Sequence, residues 1–331
     1  MVNKLGGRKG LMYMNKCIYI IIFLPLLFAC QGKNKGETKF SRDRISVEES
    51  SHGSFPFPEI PAMLTQPEER KSYLLEHYWD RFNFADTALV NNREVTEQGF
   101  VNQISLLADG ATPEKVIRES LKNWCSRFMP EVQARRVMMQ LADDYLYNPN
   151  SPFYNEGLYG VYLETMLEVL PEEDARRSSF DFKLRLLRRN KVGDKATDFS
   201  YYLPDGQKKS LAATSARGNR LLLVFYDPEC ESCHEVLREM TADASLAKAV
   251  KAGRITVLAV YTEGNQEAWK KGLADMPEGW IIGTDRQKVK EEALYDLKAM
   301  PSLYLLDGQK RVLLKDAPLG QIREVLGLAV K

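Results

Sequence analysis

The chain has 331 residues, which is enough for two ordinary domains. With 44% apolar and 27% charged residues, its composition is typical of a globular protein and excludes a disordered one. The formal net charge is +1, so charge gives no basis for binding nucleic acid or an acidic membrane surface. The three histidines are not paired at helical ligand spacing, so no histidine-rich metal site is expected.

The amino terminus has the features of an export signal. Four basic residues precede an apolar run: Lys4, Arg8, Lys9 and Lys16. The run, "CIYIIIFLPLLFA" at 17–29, is shorter than the about 20 residues that span a membrane, which favours a secretory signal. It ends in "LLFAC", which resembles the lipobox of bacterial lipoproteins. This resemblance implies a signal peptide over 1–30, a lipid on Cys30 and a lipid-anchored place in the bacterial cell envelope, facing the periplasm. An ordinary cleaved signal or a signal anchor is the alternative.

Two segments with different patterns of apolar residues follow the export signal. Residues 31–57 are polar and lack an apolar period, which predicts a flexible tether. Over 58–190 the apolar residues recur at spacings of three and four, which predicts an all-α domain. In "TPEKVIRESLKNWCSRF", Thr112 is the predicted N-cap and Pro113 the first helical residue.

Several residues of the helical domain suggest chemistry but have simpler explanations. Cys125 lies on an apolar stripe beside Trp124, which favours a buried small hydrophobe over a reactive thiol. His77 stands among aromatic residues and is interpreted as a core or interface histidine. The basic stretch 183–191 is interpreted as a solvated helix end, where cations complement the helix dipole.

The remaining residues, 191–331, alternate between strand and helix patterns. Asp205-Gly206 is a hairpin signal, and "RLLLVFY" at 220–226 is a continuous apolar run of the kind found in a central strand. A helix is predicted from Cys230 to about residue 249, then a buried strand over 255–261. Further helices and strands follow, with a second hairpin and a closing helix. The pattern predicts an α/β domain with a central mixed sheet and helices on both faces.

The motif "CESCH" lies where the strand 220–226 ends and the next helix begins. At a helix N-terminus, free backbone N–H groups and the helix dipole favour a thiolate, so Cys230 is predicted to be exposed and reactive. Cys233, one turn later, is predicted to be shielded. A paired dithiol at this position suits thiol–disulfide exchange.

The sequence of the motif alone leaves other functional interpretations open. With His234, the two cysteines also satisfy the C-x-x-C-H pattern of covalent haem attachment. A zinc site needs four ligands as a rule, and the chain offers no second cysteine pair. We therefore expect no metal and no cofactor.

Residues 191–331 resemble the thioredoxin superfamily, in particular its membrane-tethered TlpA/ResA-like branch. The resemblance rests on "VGDKATDFSYYLPDG", "FYDPECESC" and "AMPSLYLLDGQKRV", in that order. It implies catalytic roles for Cys230, Cys233 and Pro301, with Pro301 in a cis peptide bond. It also implies that a partner chain contacts Met300, Tyr226 and Pro228. The helical domain resembles a domain of unknown function found ahead of thioredoxin folds in bacterial lipoproteins.

The sequence departs from the family in ways that bear on its activity. Val224 stands where thioredoxin has a buried acid, and Asp227, Glu229 and Glu231 surround Cys230 with negative charge. Like charges disfavour a thiolate, so a reductant or isomerase is expected rather than a strong oxidant. The expected partners are disulfide-containing exported proteins and a membrane electron donor. The competing hypothesis is a non-enzymatic lipoprotein that uses the fold as a binding module.

Overall fold

The computed structural model describes residues 53–328. The predicted signal peptide, the lipidation residue Cys30 and most of the predicted tether lie outside the described residues. The described residues belong to one compact unit. Within them, no helix is both long enough and apolar enough to cross a membrane.

The first part of the described chain is helical, as predicted. Its helices are α1 Pro67–Glu76, α2 Thr87–Asn91, α3 Arg93–Leu107, α4 Glu114–Phe128, α5 Val132–Ala142, α6 Glu156–Val169 and α7 Arg177–Leu187. A single π turn, Asp143–Tyr147, follows α5 directly. Such wider turns are uncommon and often occur beside functional sites.

Helix α4 shows how the sequence directs this packing. Its stripe of Leu121, Trp124, Cys125 and Phe128 is fully buried, because these residues recur on one helical face. The helix begins one residue later than predicted, with Pro113 at the N-cap. The predicted cap, Thr112, instead donates its hydroxyl to the carbonyl of Leu106 at 2.8 Å and to Asp109 Oδ1 at 2.9 Å, closing the preceding turn.

The packed part of the chain begins earlier than residue 58. Phe55, which lies in the range predicted as tether, is only 7% exposed. Its ring lies 5.0 Å from that of Tyr78 and 5.0 Å from that of Trp79, centroid to centroid. Burial of a phenylalanine side chain contributes about 2–3 kcal/mol. Phe55 is therefore part of the aromatic core of the helical domain.

The second part of the described chain is an α/β domain built on a mixed sheet. Its strands are β1 Ser200–Tyr202, β2 Lys208–Ser210, β3 Arg220–Tyr226, β4 Thr256–Tyr261, β5 Ile281–Thr284, β6 Ser302–Asp307 and β7 Val312–Leu314. Within residues 53–328 they form a seven-stranded sheet in the order β2-β1-β5-β4-β3-β6-β7. The pairs β3–β4 and β4–β5 are parallel, and the others are antiparallel.

Helices cover both faces of this sheet. They are α8 Glu231–Ala242, α9 Ala244–Lys251, α10 Gln266–Gly272, α11 Lys288–Glu291 and α12 Leu319–Val325. Strand β3 is buried on both faces: Leu222, Val224 and Tyr226 belong to one apolar cluster, and Leu221 and Phe225 to the other. This explains why its sequence is continuously apolar rather than alternating. The predicted fold class is confirmed.

The helix predicted from Cys230 to about residue 249 is broken at Asp243. The Asp243 carboxylate accepts hydrogen bonds from the backbone N–H groups of Ser245 at 2.9 Å and Leu246 at 3.1 Å. Aspartate is among the preferred N-cap residues, so Asp243 ends α8 and begins α9.

The segment that joins the two parts is itself paired with the sheet. The N–H of Gly193 donates to the carbonyl of Val312 at 2.8 Å, and the N–H of Val312 donates to Asp194 at 2.9 Å. Ala196 donates to Lys310 at 2.8 Å. The connection therefore runs along the outer side of β7 as an added extended segment.

Candidate active site

The two cysteines lie at the junction of β3 and α8. Strand β3 ends at Tyr226, and Cys230 is the N-cap of α8. Cys230 is half-buried, so its thiol is reachable from solvent, whereas Cys233 is fully buried one turn later. Both are free thiols in this structure. The predicted difference in exposure between the two cysteines is present.

The buried thiol of Cys233 is held in its protonated form. Its sulfur accepts a hydrogen bond from the Asp227 backbone N–H at 3.4 Å, which favours the thiolate. Burial outweighs that bond and, together with the adjacent Cys230 thiol, raises the pKa of Cys233 to about 12. Cys233 must lose a proton before it can act as a nucleophile. Val224, at the position of the acid in thioredoxin, is fully buried and cannot accept that proton.

The Met300–Pro301 segment lies opposite the first cysteine. The Met300–Pro301 peptide bond is cis, as the resemblance implied. The Cys230 thiol lies 3.8 Å from the carbonyl oxygen of Met300, within reach of a weak S–H···O hydrogen bond. The structure thus brings together Cys230, Cys233, Met300 and Pro301, although Met300 and Cys230 are 70 residues apart in the chain.

Tyr226 and Pro228, the other two residues predicted to contact a partner, line a groove between α8 and α10. The groove has a volume of about 1020 Å³, and Leu237 and Met276 are among its apolar walls. Tyr226 is only 1% exposed, so it can form part of the groove wall but offers little surface to a partner. Its hydroxyl lies beside the indole N–H of Trp269, and neither group makes a hydrogen bond of normal geometry.

The loop that precedes Cys230 is anchored by residues that the sequence analysis did not single out. Asn265 Nδ2 donates to Glu229 Oε2 at 3.2 Å, and the Asn265 backbone N–H donates to the Tyr261 hydroxyl at 2.9 Å. Asn265 also caps α10 through Ala268. The sequence signal was its place between a buried strand and a helix, where asparagine favours a cap.

The geometry does not fit haem attachment at "CESCH". A haem must bond both thiols, yet Cys233 is fully buried. His234 Nε2 donates to the Pro228 carbonyl at 2.5 Å, so the nitrogen that would ligate iron is already engaged. In residues 53–328 there is no group of three or more histidine, cysteine or acidic side chains placed to hold a metal ion.

Cys125 is separate from this site. It is fully buried in the helical domain, as expected from its place on the apolar stripe of α4. Burial raises the pKa of its thiol well above the usual value, which keeps it protonated. His77 Nδ1 donates to Asp80 Oδ2 at 2.7 Å, and the His77 side chain is one-third exposed, so it is a hydrogen-bonded residue near the surface rather than a core histidine.

The fold and the helix-terminal dithiol together define a thioredoxin-like protein. A family model described as a thioredoxin-like domain matches residues 207–315, and one described as a domain of unknown function, DUF5106, matches residues 29–190. A solved thioredoxin-like protein from Bacteroides caccae is 36% identical, with a TM-score of 0.68. The match covers 83% of this chain and 98% of that one. The chain therefore belongs to the thioredoxin-like proteins.

Two further solved structures from Bacteroides fragilis are similar to about two-fifths of the chain. The C-terminal domain of an uncharacterized protein is 36% identical, covering 42% of this chain and 98% of that one, with a TM-score of 0.40. A thiol-disulfide oxidoreductase is 22% identical, covering 40% of this chain and 99% of that one, with a TM-score of 0.33. The comparison with curated proteins produced no match.

Proposed function

We propose that this protein is a thiol–disulfide oxidoreductase that reduces or isomerises disulfides of exported proteins. The observation that carries the proposal is the placement of Cys230. It is solvent-accessible at the start of α8, faces the Met300 carbonyl at 3.8 Å and has the buried Cys233 one turn behind it. A thiol at a helix N-terminus beside a second, shielded thiol suits exchange with an external disulfide.

The proposed reaction has two steps. The Cys230 thiolate attacks one sulfur of the partner's disulfide, which forms a mixed disulfide and releases the partner's other sulfur as a thiolate. Cys233 then loses its proton and attacks the Cys230 sulfur, which releases the second partner thiolate. The partner gains two electrons and two protons, and Cys230 and Cys233 become a disulfide. A membrane-bound dithiol reductant would restore the pair, whereas isomerisation needs no net electrons.

The charges around Cys230 support the direction of the reaction. Asp227 and Glu229 lie on the loop before Cys230, and Glu231 is the first residue of α8. Negative charge beside a thiol opposes the effect of a helix dipole. Strong oxidants of this class depend on a very stable thiolate, so the arrangement favours a reductant or an isomerase.

The sharpest test of the activity is to trap partners. In a Cys233→Ser variant the mixed disulfide cannot be resolved, so covalent complexes should accumulate on non-reducing gels of exporting cells and vanish with reductant. The matched control is the Cys230→Ser/Cys233→Ser double variant, which should trap nothing. If the single variant traps nothing, and the wild-type pair does not cycle in a redox titration, the binding-module hypothesis replaces this one.

The proposed location rests on the lipobox-like "LLFAC" and needs its own test. A palmitate label should be recovered on the wild-type protein in the membrane fraction of a bacterium that processes lipoproteins. Cys30→Ala should lose the label, because the thiol that would carry the diacylglycerol is gone. An unlabelled, soluble wild-type protein would refute the anchor but leave the redox chemistry unaffected.

A further inference from the structure

A buried lysine lies two residues before Met300. The side chain of Lys298 is 1% exposed, and its ammonium group contacts three carboxylates. The distances from Nζ are 3.0 Å to Glu156, 3.0 Å to Asp296 and 2.7 Å to Asp316. A charge is stable at such depth only when it is paired, and here burial is outweighed by the carboxylates, which raise the pKa of Lys298.

Part of this cluster comes from the helical domain. Glu156 is the first residue of α6, and its carboxylate also accepts from Lys315 Nζ at 2.6 Å. Lys315 donates in turn to the carbonyl of Leu187, at the end of α7, at 2.8 Å. Tyr147, in the π turn after α5, donates its hydroxyl to Asp296 Oδ1 at 2.6 Å. The helical domain thus contacts the cluster and its neighbour Lys315 through three elements: α6, α7 and the π turn after α5.

The same cluster holds both ends of the segment that faces Cys230. Asp296 lies at the start of the segment, and Ser302 at its end donates its hydroxyl to Asp316 Oδ1 at 2.6 Å. Residues 296–301 belong to no helix or strand, so no backbone ladder holds them. Side-chain contacts with the cluster, together with the packing of Leu297 and Met300 against the apolar core, hold this segment in place.

We infer that the helical domain is a working part of the partner-binding site. Through Glu156 and Tyr147 it holds the 296–302 segment, and with it the Met300 backbone, in the position that receives a partner chain. Lys298 is the positioning residue that joins the two domains. This inference rests on the proposed function. Exchange between sulfurs requires close alignment, so a displacement of about 1 Å in this segment can slow the reaction by up to about 100-fold.

The test uses the full chain purified in detergent, with insulin as the disulfide probe. Tyr147→Phe and Glu156→Gln, singly and together, loosen the contact from the helical side without touching the dithiol. The double variant should lower kcat/KM for insulin reduction by about 10- to 100-fold, carried mainly by kcat, because the docked disulfide is misaligned. The rate at which iodoacetamide alkylates Cys230 should stay at the wild-type value, because this small reagent needs no docking on Met300.

The matched control is Tyr145→Phe, which removes a tyrosine hydroxyl that donates to Glu97 wholly within the helical domain. It should leave both rates unchanged. If the control lowers kcat/KM as much as the double variant, or if the folded double variant reduces insulin at the wild-type rate, the inference is wrong.

A second measurement separates this inference from the proposed function. Amide hydrogen exchange of the peptide that contains residues 296–302 should be faster in the double variant than in the wild type or Tyr145→Phe, while exchange in β3 stays slow. If the wild type fails to reduce insulin, the reductase part of the proposed function fails, and the exchange data decide the positioning role. Unchanged exchange in that peptide would overturn it.

Discussion

Replacing Cys230 with serine is expected to lower insulin reduction to the rate of the uncatalysed reaction. A serine hydroxyl has almost the same shape as the thiol but does not ionise near neutral pH, so it cannot attack a disulfide. Cys233 cannot take over, because it is fully buried and its pKa is raised to about 12. The loss should therefore be complete rather than partial. The measurement is the turnover of insulin with a dithiol reductant at neutral pH.

Cys125→Ala is the matched control for this loss. It also removes one of the described thiols, but from the core of the helical domain, where Cys125 acts as a small buried hydrophobe. Insulin reduction should persist in this variant. Activity above background in Cys230→Ser would show that Cys233 can start the reaction, and the assigned roles of the two cysteines would then be wrong.

Replacing Lys298 with methionine is expected to destabilise the protein by about 3–5 kcal/mol at neutral pH. Methionine keeps most of the length of the lysine stem, so the change mainly removes the charge. Glu156, Asp296 and Asp316 would then remain largely buried, with Lys315 as the neighbouring cation on Glu156. The measurement is the free energy of unfolding from urea titrations. The control is Lys122→Met, an exposed residue 3.8 Å from Glu168, which should change stability by less than about 0.5 kcal/mol.

The stability difference between wild type and Lys298→Met should depend on pH in a defined direction. In the wild type the pKa of Glu156 is lowered: burial opposes the shift, and Lys298 and Lys315 outweigh it. The charged Glu156 carboxylate therefore stabilises the folded protein fully above its unfolded pKa of about 4.3. This stabilisation is lost as pH falls through the lower pKa that Glu156 has in the folded protein. The pKa of Lys298 is raised in the folded protein. The stabilisation from its charge is therefore complete below its unfolded pKa of about 10.4 and is lost only as pH rises through the folded-state pKa.

In the variant, acidification neutralises carboxylates that have lost their partner, which relieves the penalty of burying them. The difference in stability should therefore be widest between about pH 5 and pH 9 and should narrow toward pH 3. A difference that stays constant over this range would mean that Lys298 acts through packing and not through charge.

Features that the sequence encodes locally were predictable. The limits of β3 match the run "RLLLVFY", because a strand buried on both faces needs an unbroken apolar stretch. The placement of Cys230 at the start of α8 followed from a strand pattern that ends just before a helix pattern. The shielding of Cys233 followed from its position one turn later. These features depend on residues within about ten positions of one another.

Features that depend on distant charged residues were not predictable. Asp296, Lys298 and Asp316 are charged residues without a motif of their own in the sequence, and charged residues are usually solvated. Their burial becomes visible only when the helical domain brings Glu156 and Tyr147 against them. Phe55 was placed in the tether for a related reason, because the stretch 31–57 has no apolar period and the rings of Tyr78 and Trp79 come later in the chain.

The paired linker has a consequence for how partner chains can approach. A sheet with a free outer strand can recruit a foreign strand indiscriminately, which leads to edge-to-edge association. Here one outer strand, β2, presents the exposed lysines Lys208 and Lys209, and the other, β7, is already occupied by Gly193 and Asp194. A substrate strand would thus meet charge at β2 and the already paired backbone groups of Val312 at β7. Under the proposed function, Met300, 3.8 Å from the Cys230 sulfur, is where we expect an incoming backbone to pair, so that docking and chemistry would coincide.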